Sequence, residues 1–123
     1  MIKLGIKKIE YRSGDTDTWK ELKIVSLSAQ LSEDRRESDA GKYSTVKITA
    51  DIRNSSRNND IILEYLSNWF YSYKITDMNN KTYIFGDNDF RAKFTFERGI
   101  GGLKANGYSI SIEWQSPEGL RAN

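Results

Sequence analysis

The sequence predicts a mainly β domain, an antiparallel sandwich or barrel of about seven to eight strands with one short flanking helix. Two observations predict it. Several stretches alternate apolar and polar residues with period two, as half-buried strands do. One stretch alone carries apolar residues at helical spacing. With 123 residues and no internal repeat, low-complexity tract or linker, the chain is expected to form a single domain over 1–123.

Three segments carry the alternation most clearly. Tyr43 to Arg53 places Val46, Ile48, Ala50 and Ile52 on one face and Thr45, Lys47, Thr49 and Asp51 on the other. Phe90 to Glu97 sets Phe90, Ala92, Phe94 and Phe96 against Arg91, Lys93 and Thr95, and Tyr108 to Gln115 sets Tyr108, Ile110, Ile112 and Trp114 against Ser109, Ser111 and Glu113. Two earlier stretches change phase. Ile2, Leu4 and Ile6 share one parity while Ile9 and Tyr11 take the other, across Lys7-Lys8. Leu22 and Ile24 give way in the same manner to Val25, Leu27, Ala29 and Leu31. A β-bulge produces such a switch, and bulges let a strand bend from one sheet into another. A short turn near Val25 and Ser26 serves the second case equally well.

The helical stretch follows RNSSRNND. Ile62, Tyr65, Leu66 and Trp69 fall at helical spacing, predicting a helix over about residues 60–69 with Asn59 or Asp60 as its cap. Tyr71, Tyr73 and Ile75 then alternate into a strand, and Asp77 to Lys81 supplies a turn. Thr82 to Phe85 returns, and Gly86 to Asp89 turns again, so two adjacent hairpins are expected. Ser32 to Lys42 is crowded with charges of both signs and is expected to be an exposed, mobile loop. The end of the chain, residues 115–123, holds the only proline and is expected to be a loose arm.

Composition removes several classes of chemistry. There is no Cys, so disulfides, thiolate metal sites and thiol nucleophiles are excluded, and no His, which removes the commonest general base and imidazole ligand. Nineteen Lys and Arg against seventeen Asp and Glu leave +2, which predicts no specific nucleic-acid partner. No apolar run approaches a membrane span, and the N-terminus lacks the apolar region of a signal peptide, so no membrane association is expected.

The remaining candidates have ordinary structural readings. Asp15 with Asp17, and Asp87 with Asp89, could offer hard oxygen ligands to an ion, but both lack the calcium-loop spacing and read as turn chemistry. Gly99 to Gly107 is glycine-rich, yet its Lys104 is followed by Ala and it joins two strands, which is not a phosphate cradle. In Phe90 to Arg98 the rings and the cations occupy opposite faces, as in a core strand. An acid-only hydrolase needs two carboxylates facing one cleft, and most of the acids fall in loops or on wet faces. No cofactor, metal site, catalytic residue or small-molecule substrate is therefore expected, and the protein is read as a non-enzyme.

Four stretches carry a family likeness: IEYRSGDTDTW (from Ile9), KYSTVKITADIR (from Lys42), ITDMNNKTYIFGDND (from Ile75) and LKANGYSISIEWQSPEGL (from Leu103). Through them the chain resembles small β-rich proteins encoded among the tail and head–tail genes of bacteriophages and prophages. The resemblance implies a structural subunit of tube, terminator or connector type. Such a subunit would join copies of itself, or other phage structural proteins, in a ring or polymer within the virion or the bacterial cytoplasm during assembly. The contact residues expected on this reading are Glu33, Asp34, Arg35, Arg36 and Glu37 of the charged stretch, with Gln115, Glu118, Leu120 and Arg121 of the C-terminal arm. The alternative reading is a monomeric β module that binds carbohydrate through exposed aromatic rings.

Overall fold

The computed structural model describes residues 2–13, 18–24, 28–38, 41–53, 57–86, 90–98 and 107–117. In chain order the elements are β1 (Ile2–Arg12), β2 (Lys20–Leu22), β3 (Gln30–Ser38), β4 (Gly41–Arg53), α1 (Arg57–Asn68), β5 (Ser72–Asp77), β6 (Thr82–Phe85), β7 (Lys93–Arg98) and β8 (Gly107–Ser116). All eight strands pair antiparallel in the order β6-β5-β1-β3-β4-β8-β7, with β2 added beside β1. The end strands β6 and β7 do not pair with each other, so the sheet does not close into a barrel. It folds over on itself, and its two halves face each other like a sandwich.

The fold line is β1. Its residues Ile2–Gly5 pair with β3, whereas Ile6–Arg12 pair with β5, and the register slips between Ile6 and Lys8. Ile6 and Ile9, on either side of the slip, are both fully buried. The parity switch at Lys7-Lys8 is thus a bulge that passes one strand from one half of the sheet to the other. The second switch, at residues 25–27, lies outside the described residues.

Alternation elsewhere becomes the core. Val46, Ile48, Ala50 and Ile52 of β4 and Tyr108, Ile110, Ile112 and Trp114 of β8 are all buried. Aromatic rings close the space between the halves. Tyr73 of β5 stacks on Phe85 at 5.8 Å and on Phe94 of β7 at 6.3 Å, and Phe85 meets Trp114 at 5.5 Å. Each such pair adds about 0.5–1.5 kcal/mol beyond the area it buries. The indole of Trp114 donates to the Phe90 carbonyl at 2.7 Å, which satisfies its buried N–H.

Tyr73 itself is fully buried, and its hydroxyl has no hydrogen-bond partner among the described residues. Burial, with the nearby Tyr71 and Tyr11 hydroxyls, pushes its pKa above the ordinary tyrosine value. An unsatisfied buried hydroxyl costs about 1–3 kcal/mol. Tyr73→Phe is therefore expected to raise the free energy of unfolding by about 1 kcal/mol, read from urea denaturation. Because the unfolded phenol ionises near its ordinary value of 10.0, wild-type stability falls as pH rises past that value. The Phe variant should lose less over the same range.

Four expectations are corrected. In the stretch from Ser32 to Lys42, the described residues 32–38 and 41–42 are not a loop: β3 and β4 pair from Gln30↔Thr49 out to Ser38↔Gly41. The helix starts at Arg57, so Asn59 and Asp60 sit in its first turn rather than at its cap. Its buried face is Leu63, Leu66 and part of Ile62, leaving Tyr65 and Trp69 exposed. Only the first of the two hairpins forms, from Thr76↔Thr82 to Tyr73↔Phe85, since β7 pairs with β8 and starts at Lys93. Finally, Gln115 and Ser116 belong to β8, with Ser116 buried opposite Ser44. Glu118, Leu120 and Arg121 lie outside the described residues.

The β5–β6 turn shows why Asp and Asn suit such a position. Asp77 Oδ1 accepts the backbone N–H groups of Asn79 at 2.8 Å and Lys81 at 3.0 Å, and its Oδ2 accepts the Tyr83 hydroxyl at 3.3 Å. Asn80 takes the left-handed conformation, with φ of 64°, which Asn tolerates better than most side chains.

Candidate interaction surfaces

The first candidate is the outer end of the β3–β4 hairpin. β1 runs beside β3 only as far as Ile2↔Glu33, and β8 runs beside β4 only from Ser44↔Ser116. Residues 34–38 and 41–43 therefore continue past both neighbouring strands as a two-stranded arm. Arg35, Arg36, Glu37 and Lys42 are exposed along it, while Glu33 at its base is buried. Two ion pairs run within the arm, Arg36 to Asp34 at 3.0 Å and Lys42 to Glu37 at 3.4 Å. Exposed pairs of this kind contribute roughly 0–1 kcal/mol, so they stiffen the arm little and exchange readily for other partners.

The sequence-predicted contact residues meet here in part. Asp34, Thr45 and Gln115 form one cross-strand row, and the Gln115 amide donates to Thr45 Oγ1 at 3.3 Å. Glu33 to Glu37 and Gln115 thus lie at the same end of the sheet.

A second candidate is the wet face of β4, β8 and β7. Successive cross-strand rows read Lys47–Glu113–Lys93, then Thr49–Ser111–Thr95, then Asp51–Ser109–Glu97. A groove of about 470 Å³ lies over the last two rows and reaches Lys47 of the first, with Ser28 and Phe96 also lining it. The rows follow from one strand parity facing water while the other fills the core. Charges alternate in the first row. In the third, two carboxylates flank a serine, and Ser109 Oγ donates to Asp51 Oδ1 at 3.4 Å. This end of the groove has an acidic character, which sequence reasoning missed because the row exists only once three strands are in register.

The third candidate is on the helix. Ile61, Tyr65 and Trp69 recur every fourth residue on one side of α1, with Tyr65 57% and Trp69 65% exposed, and Phe70 adjoins them. Two apolar stripes share this helix, and only the Leu63–Leu66 stripe reaches the core. The helix is fixed at its start by the Tyr108 hydroxyl, which donates to Asp60. Beside the exposed stripe a cleft of about 270 Å³ is lined by Tyr11, Tyr71, Ile62 and Leu66, with Arg12 and Lys20 also contributing. The Arg12 guanidinium lies 4.2 Å over Trp19, and Arg91 lies 4.6 Å over Phe70. Cation–π contacts of this type are individually modest at exposed sites.

Among the described residues there is no group of three or more metal-binding side chains. Asp15, Asp17, Asp87 and Asp89 lie outside them, as does all of the glycine-rich stretch except Gly107, which opens β8. No described helix is long and apolar enough to cross a membrane. No protein-family model, curated protein or solved structure matches this chain.

Proposed function

We propose that the protein is a non-enzymatic assembly subunit, of the phage or prophage tail class that its sequence resembles. It works by self-association or by docking onto a ring of other subunits. The observation that carries this reading is the β3–β4 arm, a charged two-stranded ribbon standing beyond both neighbouring strands. A β-ribbon of this kind offers backbone N–H and C=O groups along its edges, which another chain's strand or surface can engage. The bare aromatic stripe of α1 supports the reading as well, because contiguous exposed apolar groups mark interaction surfaces.

Light scattering after size exclusion, over a range of concentrations, tests it. The expected result is a mass that rises with concentration, and a smaller mass for the double variant Arg35→Glu, Arg36→Glu at each concentration. Both positions are exposed, so the variant's unfolding free energy should stay within about 0.5 kcal/mol of wild type. Unchanged assembly by the double variant would remove the arm from the contact. A wild type that is monomeric throughout would end the self-association reading and leave docking to a different subunit.

The alternative of a monomeric carbohydrate-binding module is favoured by one observation, the exposure of Tyr65 and Trp69 one turn apart. Rings so placed form a platform on which a sugar stacks. It requires glycan-dependent quenching of tryptophan fluorescence with no change in mass, an effect that Trp69→Ala would abolish.

A further inference from the structure

Building on the assembly role proposed above, we infer that the arm of one copy docks in the polar groove of the next, with its arginines against Asp51 and Glu97. The occupant of the groove is thus residues 34–38 and 41–43 of a second copy of this chain. Both halves of the contact are on β4. Its first residues, Gly41 to Tyr43, belong to the arm, and Asp51 closes the acidic row near its other end. At about 3.3 Å per residue the two ends stand about 33 Å apart. A surface and its complement at opposite ends of one strand cannot meet within a chain. Between chains they give a heterologous, head-to-tail contact, which builds a closed ring or an open polymer.

Charge complementarity selects the arm as occupant. The groove's acidic end carries Asp51 and Glu97 on either side of Ser109. The arm exposes Arg35 and Arg36 side by side. Successive residues of a strand face opposite ways, so whichever side of the ribbon lies down, one arginine faces the groove. Guanidinium is suited to this, since its fork of donors matches carboxylate and serine oxygens and it sheds water more easily than an ammonium. At about 30 Å³ per water molecule the groove holds on the order of fifteen waters, room for side chains rather than for a whole ribbon. The ribbon would therefore rest on the rim while its side chains enter.

Complementary variants test the assignment in solution. The arm variant is Arg35→Glu, Arg36→Glu, and the groove variant is Asp51→Asn, Glu97→Gln. Each alone is expected to associate at least about tenfold more weakly than wild type, with wild-type unfolding curves. Mixed in equal amounts they should form a species of two subunits and nothing larger, because one intact arm then meets one intact groove. Thr95→Arg, at an exposed position of the groove floor, should weaken association without altering either carboxylate. If the groove variant and Thr95→Arg assemble like wild type while the arm variant does not, the arm docks elsewhere and the assembly reading alone survives. A wild type that stays monomeric overturns the arm-in-groove contact and self-association together, and leaves docking to a different subunit.

Discussion

Phe94→Ala is expected to lower the free energy of unfolding by about 3–5 kcal/mol, the usual range for deleting a buried phenylalanine. Phe94 lies on β7, at one end of the strand order, and is 3% exposed. Its ring stacks on Tyr73 from the opposite half of the sandwich and meets Phe96 of its own strand at 6.5 Å. Among the described residues β7 is held by backbone pairing only along β8, and the ring adds a tie between this edge strand and the other half. Removal leaves a cavity beside Tyr73, a large ring that cannot shift to fill it without disturbing its stack on Phe85, which in turn meets Trp114. Urea denaturation reads the loss directly, and Phe96→Ala supplies the control. Phe96 is only partly buried, so its truncation should cost clearly less. Equal losses at the two positions would show that the stack between the halves contributes nothing beyond area.

Much of this architecture is legible in the sequence, and the reasons differ by element. β4 and β8 are plain because each has one dry and one wet face, so that Val46 to Ile52 and Tyr108 to Trp114 write the pleat into the residue types. The bulge in β1 is plain for the same reason: Ile6 and Ile9 are both buried, and positions three apart cannot share one face of a regular strand. The arm is invisible to that logic. Past the last neighbouring strand both faces of a ribbon are wet, so Asp34 to Glu37 alternate only charge with charge and read as a loop. The helix misleads in the opposite sense, since Tyr65 and Trp69 have the spacing of a core face but not its location. Nothing local tells the Ile61 stripe from the Leu63 stripe; the sheet beneath decides. The acidic row of Asp51, Ser109 and Glu97 is illegible because it joins residues up to 58 positions apart, through the pairing of β7 and β4 with β8.

The other large effect is expected at Gly86, where substitution by Ala should cost about 3 kcal/mol, the sum of two strains. Gly86 follows β6 with φ of +87°, a conformation that side chains with a Cβ rarely adopt. An added Cβ would stand 2.8 Å from the Tyr71 carbonyl oxygen and 3.3 Å from the Ala92 Cβ. The nearer atom is backbone, so it has no rotamer through which to move away. It is also held, because the Gly86 carbonyl accepts the Ser72 hydroxyl at 2.7 Å and keeps the two strand ends together. Strain at positive φ costs about 1–3 kcal/mol, and overpacking a fixed site costs about 1–3 kcal/mol more. Gly41→Ala separates the two contributions. Gly41 has φ of +122°, but a Cβ added there would meet nothing within 4 Å, so only conformational strain remains. Its variant should lose about 1–3 kcal/mol by urea denaturation, and the excess at Gly86 measures the contact with Tyr71. Losses of the same size at both glycines would mean that the β5 end yields to the methyl group, and that only the left-handed backbone requires glycine there.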